Sequence, residues 1–105
     1  MFSLETLAAA IDARASAEAE KSYTRALLDK GAAHCARKFG EEAIEAIVAA
    51  CSGDDAHLRS EAGDVLYHLL VLLKARGVPL RAVLDELGAR TRQSGHEEKA
   101  SRGPQ

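Results

Sequence analysis

Two short acidic motifs carry the residues best suited to chemistry in this sequence. The first is Glu41-Glu42-Ala43-Ile44-Glu45 and the second is Glu61-Ala62-Gly63-Asp64. On a helix, at 100° per residue, the three glutamates of the first motif fall within about 100° of arc. The acids of the second motif have the i, i+3 spacing that places both on one face. If the two helices pack antiparallel across a turn at residues 52–55, four carboxylates can converge: Glu42, Glu45, Glu61 and Asp64.

The spacing of these acids leaves two interpretations open. Acids on one arc of an amphipathic helix are most often its solvated face, stabilised a little by basic neighbours. In a convergent site, carboxylates about 4 Å apart repel by roughly 4 kcal/mol at an effective dielectric near 20, so the site needs a cation. Oxygen ligands favour Mg²⁺, with Mn²⁺ as a second candidate. Such an ion has open positions for phosphate oxygens and water, which suits phosphoanhydride hydrolysis.

The elements that must position these motifs are predicted to be helices. Of the 105 residues, 47% are hydrophobic and 29% charged, with only 2 prolines and 4% aromatic residues, a composition typical of a folded helical protein. Hydrophobic periodicity predicts helices at residues 3–20, 32–51, 56–76 and 80–92, and a short helical segment that begins after Ser22 and ends before Gly31. We therefore predict an all-α fold: a small bundle of about four to five helices at residues 1–92, followed by a tail at residues 93–105.

The third long helix predicts a dimer. Residues 65–73 contain no formally charged side chain, which is unusual for a helix with one face in water. A chain of this length buries a low fraction of its surface and cannot easily cover such a helix alone. We therefore expect homodimerisation to complete the core.

Charge, hydropathy and cysteine content exclude several function classes. A formal net charge of −2 provides no excess positive field for binding nucleic acid. The longest apolar run is about half of a membrane span, and the amphipathic N-terminus has no signal-peptide pattern. The two cysteines, Cys35 and Cys51, have neither disulfide-framework nor zinc-ligand spacing. We expect reduced thiols, a cytoplasmic location, and no nucleic-acid or membrane partner.

The two acidic motifs together resemble the signature of the MazG-type all-α NTP pyrophosphatases. Further stretches are similar to the phosphoribosyl-ATP pyrophosphatase family: Ser22-Tyr23-Thr24, Arg37-Lys38-Phe39-Gly40, Gly63-Asp64-Val65-Leu66-Tyr67-His68-Leu69 and Ser94-Gly95-x-Glu97-Glu98-Lys99-Ala100-x-Arg102. This resemblance implies Mg²⁺-dependent hydrolysis of phosphoribosyl-ATP to phosphoribosyl-AMP and pyrophosphate, the second step of histidine biosynthesis. In some members of the family the pyrophosphatase is fused to the cyclohydrolase that acts next, but 105 residues leave no space for that domain. We therefore expect a free-standing domain, with a separate phosphoribosyl-AMP cyclohydrolase as a transient partner.

The resemblance also implies roles for individual residues. The metal ligands are Glu42, Glu45, Glu61 and Asp64. Glu41 and Glu45 are assigned to catalysis. Glu41 either orients the attacking water, binds a second ion, or is an ordinary solvated acid of the helix. The predicted substrate-binding residues are Tyr23, Thr24, Arg37, Lys38, Ser94, Gly95, Lys99 and Arg102, the last four in a tail that closes over the phosphates.

Several of these residues have an alternative role. His68 either supports a ligand carboxylate by a hydrogen bond or is an ordinary core histidine. Lys38 either contacts phosphate or pairs with Glu42 at i, i+4, and Tyr23 either lines the substrate pocket or packs against a neighbouring helix. The remaining histidines, His34, His57 and His96, are expected to face solvent or to make only local contacts.

Two competing functions share part of this pattern. A general MazG-type nucleoside triphosphate pyrophosphatase would have both acidic motifs and a different substrate, but the tail motif argues against it. A non-catalytic helical dimerisation module would have the acids facing water, and Mg²⁺ would not change its stability.

Overall fold

Five α-helices make up the part of the chain that the structure, a computed structural model, describes: residues 1–16 and 22–92. They are α1 (Leu4–Ala15), α2 (Tyr23–Asp29), α3 (Ala32–Ser52), α4 (Asp55–Ala75) and α5 (Leu80–Thr91). No strand occurs in these ranges, and the predicted all-α class is confirmed.

Helix α1 is shorter than its hydrophobic periodicity predicts. Its N-cap is Ser3, whose side chain accepts a hydrogen bond from the Thr6 backbone N–H. The predicted helix continued to residue 20, but α1 ends at Ala15. At Ser16 the backbone N–H bonds the Arg14 carbonyl and the backbone leaves α-helical geometry, so the ladder of i to i−4 bonds stops there. Residues 17–20 lie outside the described ranges.

The other helix boundaries lie within one residue of the predicted bounds. Ser22 caps α2 by accepting from the Arg25 N–H, and Asp54 caps α4 by accepting from the His57 N–H. Gly31 and Gly53 flank α3 with φ of 94° and 79°, conformations that side chains rarely adopt, so glycine permits the sharp turns at both of its ends.

Helices α3 and α4 form the centre of the fold. The turn between them is so short that they must run antiparallel, and they pack along their length. One face of α4 packs onto α1 and α2 around a small core, whose buried members are Ile11, Leu27, Cys35, Leu70 and Val71. Burial of these side chains fixes the rotation of α4, and therefore fixes where its acidic motif points.

Much apolar surface stays uncovered by this single chain. No residue of α5 is buried, and Leu87 on it is largely exposed. Three large side chains on α3, Ile44, Ile47 and Val48, are also exposed, as is Leu66 on α4. Across residues 1–16 and 22–92, none of the helices is both long enough and apolar enough to cross a bilayer.

Candidate active site on the α3–α4 hairpin

Three carboxylates converge between α3 and α4. Glu42 comes from α3, Glu61 and Asp64 come from α4, and one carboxylate oxygen from each lies within 4.8 Å of the other two. Glu42 and Glu61 are partly buried, and Asp64 is exposed. The structure therefore brings together three of the four predicted metal ligands. Glu45 is exposed on α3 and is not part of this cluster, so its role as a ligand stays a prediction.

The donor set of the cluster fits a hard divalent cation. Three carboxylates of like charge repel one another at this separation, and a bound cation removes that repulsion. Mg²⁺ binds protein through one or a few carboxylates and keeps water or phosphate oxygens in its other positions. Glu42, Glu61 and Asp64 supply only oxygen donors, with no sulfur or imidazole donor in the cluster to favour a softer metal.

Two basic side chains flank the carboxylates. His57 Nε2 lies 3.3 Å from a Glu61 carboxylate oxygen, one turn away on α4. Lys38 Nζ lies 3.4 Å from a Glu41 carboxylate oxygen on α3. The hydrogen bond to Glu41 is the main reason that the pKa of Lys38 is raised, with Tyr23, Glu41 and Glu42 adding to it electrostatically. Lys38 thus pairs at i, i+3 with Glu41, not at i, i+4 with Glu42.

A buried histidine connects α2 to the acidic motif of α4. His68 is 6% exposed, and its Nδ1 lies 2.8 Å from the backbone carbonyl oxygen of Asp64. Because a carbonyl can only accept, Nδ1 carries the proton, and Nε2 of the neutral ring accepts from the Tyr23 hydroxyl at 3.3 Å. His68 therefore contacts the main chain of Asp64, a predicted metal ligand. The predicted hydrogen bond from His68 to a ligand carboxylate is not formed.

Tyr23 and Thr24 occupy different environments. Tyr23 is 56% exposed, so it is not buried as the alternative predicted, although its ring does pack against the neighbouring helix α4. Its ring stacks on Tyr67 with centroids 6.3 Å apart. Thr24 is 1% exposed and hydrogen-bonds the Tyr67 hydroxyl, so it supports this aromatic pair from inside. Tyr67 lies within the Gly63-to-Leu69 stretch, but nothing in the residue pattern alone predicted a role for it at the site.

The remaining predicted substrate contacts and the other histidines divide into two groups, those within the described ranges and those outside them. Arg37 is exposed on α3, and its guanidinium donates to Nδ1 of His34 at 3.3 Å. His57 is exposed beside Glu61, so it makes a local contact, as expected. The tail residues Ser94, Gly95, Lys99 and Arg102 lie outside the described ranges, as does His96.

The fold and the site define an all-α protein with a three-carboxylate centre on a helical hairpin. Residues 4–91 match the model of the phosphoribosyl-ATP pyrophosphohydrolase family. The chain is 62% identical over 101 residues to phosphoribosyl-ATP pyrophosphatase 1 of Bradyrhizobium diazoefficiens, covering 96% of this chain and 95% of that protein. It is 56% identical over 103 residues to phosphoribosyl-ATP pyrophosphatase of Cereibacter sphaeroides, covering 98% of this chain and 100% of that protein. The chain belongs to the phosphoribosyl-ATP pyrophosphohydrolase family.

Proposed function

We propose that this protein hydrolyses phosphoribosyl-ATP to phosphoribosyl-AMP and pyrophosphate, the second step of histidine biosynthesis. The observation that carries the proposal is the family match, which spans both helices of the carboxylate cluster. The relatives named phosphoribosyl-ATP pyrophosphatase align over nearly their whole length. The reaction adds water at the α-phosphorus and breaks the bond from that phosphorus to the oxygen that bridges to the β-phosphorus.

The carboxylate cluster is the proposed site of Mg²⁺, with Mn²⁺ as a substitute. Glu42, Glu61 and Asp64 would hold the ion, and Glu45 is the proposed fourth ligand. When bound, the ion supplies charge neutralisation for phosphate oxygens and increases the acidity of a water molecule. The chain contributes a fixed set of oxygen donors, because α3 and α4 are held at constant separation by their packing.

Two residues of α3 beside the cluster act on the reacting groups in this proposal. The Glu41 carboxylate is exposed and is the proposed acceptor of the proton from the attacking water, a role also assigned to Glu45. Lys38 is partly exposed next to Glu41 and keeps its positive charge through the physiological pH range, since its pKa is raised. It can therefore neutralise a phosphate oxygen as negative charge builds on the leaving pyrophosphate.

A second copy of this chain is the proposed cover for the exposed apolar faces. Ile44, Ile47 and Val48 lie on the outer side of α3, and Leu66 and Leu87 add to the uncovered area. Contiguous apolar surface of this kind marks interaction sites in soluble proteins. We expect light scattering to give twice the chain mass at micromolar concentration. A monomer mass would refute the dimer and leave the hydrolytic proposal standing.

The proposed location is the cytoplasm, and the proposed pathway partner is the enzyme that acts on the product. Both cysteines are free thiols, which fits the reducing cytoplasm. The product, phosphoribosyl-AMP, is the substrate of a cyclohydrolase, which we propose to be a separate chain that contacts this one transiently.

Pyrophosphate release by the purified protein in Mg²⁺ tests the proposed function. The substrates are phosphoribosyl-ATP, ATP, dCTP and dUTP, and the variants are Glu42→Gln and Glu45→Gln. We expect the wild-type protein to release pyrophosphate from phosphoribosyl-ATP and from none of the other three nucleotides. The rate of release should fall at least a hundredfold in Glu42→Gln. Release from the plain nucleotides would instead support a general nucleotide pyrophosphatase, and no release from any substrate would support a non-catalytic helical module. Full activity in Glu45→Gln would remove Glu45 from the site.

A further inference from the structure

A recess lined by basic and aromatic side chains lies between α2 and the first half of α3. Its volume is about 310 Å³. Leu27 and Ala26 form its apolar base, and its polar lining consists of Tyr23, Lys30, His34 and Lys38. This recess is separate from the carboxylate cluster, and neither acidic motif contains any of the residues that line it.

The lining of the recess contains two lysines and no acidic side chain. Lys30 makes no ion pair within the described residues, and Lys38 has Glu41 as its partner. The pKa of His34 is lowered, mainly because partial burial disfavours the charged ring. The positive charges of Lys30, Arg37 and Lys38 lower it further, and the nearby Glu41 carboxylate offsets a small part of this effect. The lining therefore disfavours a further positive charge, and an anion is the ligand that complements it.

The hydrogen-bond donors in the recess also suit an anion. The Arg37 guanidinium can only donate, so Nδ1 of His34 is the acceptor at 3.3 Å and Nε2 of the neutral ring carries the proton. Nε2 of His34 and the ammonium groups of Lys30 and Lys38 are thus donors that a phosphate can accept from. The exposed Tyr23 ring forms one wall.

The recess and the carboxylate cluster share one face of α3. His34, Lys38 and Glu42 follow one another at intervals of four residues, which places them in one row along the helix. By helical rise, Lys38 lies about 6 Å from Glu42 along the axis and His34 about 12 Å. A phosphate chain whose reacting end lies at the carboxylates therefore reaches Lys38 within one turn and the recess beyond it.

We propose that this recess binds the terminal phosphate of the leaving pyrophosphate, with Lys30 and His34 as binding residues in addition to Lys38. The inference rests on the proposed hydrolysis of phosphoribosyl-ATP. It gives the substrate a direction on α3: the scissile bond lies at Glu42 and the leaving end points toward the N-terminus of the helix. The ribosyl phosphate at the other end of the substrate is then bound elsewhere.

Binding of inorganic pyrophosphate at saturating Mg²⁺, measured by isothermal titration calorimetry, tests this proposal without turnover. The variant is Lys30→Gln, and the matched control is Lys74→Gln, which removes the same charge on the far side of α4 beside Asp12. We expect pyrophosphate affinity to fall about tenfold in Lys30→Gln, the loss of one charge-assisted hydrogen bond, and to stay within twofold in Lys74→Gln. A second variant, His34→Ala, is expected to lose affinity several-fold.

Other outcomes overturn the assignment in distinguishable ways. Unchanged pyrophosphate affinity in both Lys30→Gln and His34→Ala, or no binding by the wild-type protein, refutes the subsite. Loss of ribose 5-phosphate binding in Lys30→Gln with pyrophosphate binding intact shows that the recess holds the opposite end of the substrate. If the recess binds pyrophosphate as proposed but phosphoribosyl-ATP is not hydrolysed, only the proposed function fails.

Discussion

Removal of one acid from the carboxylate cluster is expected to stabilise the metal-free protein. Glu42 faces both Glu61 and Asp64, with oxygens within 4.8 Å. At that distance two unit charges repel by about 0.9 kcal/mol in water and by about 3.5 kcal/mol at an effective dielectric of 20. Because Asp64 is exposed and Glu42 and Glu61 are only partly buried, solvent screens both pairs and the lower value is the better guide. Glu42→Gln should therefore raise the free energy of unfolding by about 1 to 2 kcal/mol.

Thermal unfolding in EDTA, at one fixed protein concentration, measures this change. A gain of about 1 kcal/mol corresponds to about 4–8 °C in Tm for a domain of this size. The control is Glu41→Gln on the same helix, which loses only the exposed ion pair with Lys38 and should leave Tm unchanged or slightly lower. Addition of Mg²⁺ should then raise the Tm of the wild-type protein more than that of Glu42→Gln.

A metal-free Glu42→Gln variant that melts at or below the wild-type temperature would refute the repulsion on which the metal assignment rests. The same conclusion would follow if Mg²⁺ left the wild-type Tm unchanged. Equal stabilisation by Glu41→Gln would show a general effect of negative charge on α3 and no specific cluster.

Three further predictions concern the core and the caps. With an aromatic disulfide reagent, the exposed thiol of Cys51 should react promptly. The thiol of Cys35 is 1% exposed and should react only after unfolding. If both thiols reacted equally fast, the packing around Cys35 would be contradicted. Burial raises the pKa of the Cys35 thiol above its ordinary 9.0, so the folded chain retains this proton longer and stability should fall as pH rises above that value. Urea titrations between pH 8 and 10.5 should show a smaller loss in Cys35→Ala. Asp54→Ala should cost about 1 kcal/mol through loss of the α4 N-cap, whereas Asp55→Ala next to it should cost much less in the same titrations.

The helices and their order follow from local signals that the sequence contains. Ser22 predicts the cap of α2, and either Asp54 or Asp55 predicts that of α4, because short polar side chains satisfy the first free N–H groups of a helix. The structure selects Asp54. Gly31 and Gly53 predict the ends of α3 because only glycine adopts their backbone conformation without strain. The predicted end of α1 at residue 20 was wrong. The alanine-rich periodicity of the sequence continues past Ser16, but the ladder of backbone hydrogen bonds stops there.

The candidate site was predictable where it depends on spacing within one helix. The acidic pairs and the antiparallel packing of α3 and α4 place Glu42, Glu61 and Asp64 together, as expected. The contacts between helices were not predictable, because they depend on how α2 is placed against α3 and α4. The Thr24 to Tyr67 hydrogen bond and the recess between α2 and α3 are of this kind.

The hydrogen bonds that connect Tyr23, His68 and the Asp64 carbonyl all run in one direction. The carbonyl fixes the proton on Nδ1 of His68, and Nε2 of the ring then accepts a hydrogen bond from the Tyr23 hydroxyl. Tyr23 consequently presents only lone pairs to solvent, at the edge of a recess whose other polar groups donate. The phenol oxygen repels a phosphate oxygen and accepts from an alcohol. A ligand at this edge therefore meets an acceptor at Tyr23 and donors at Lys30, His34 and Lys38.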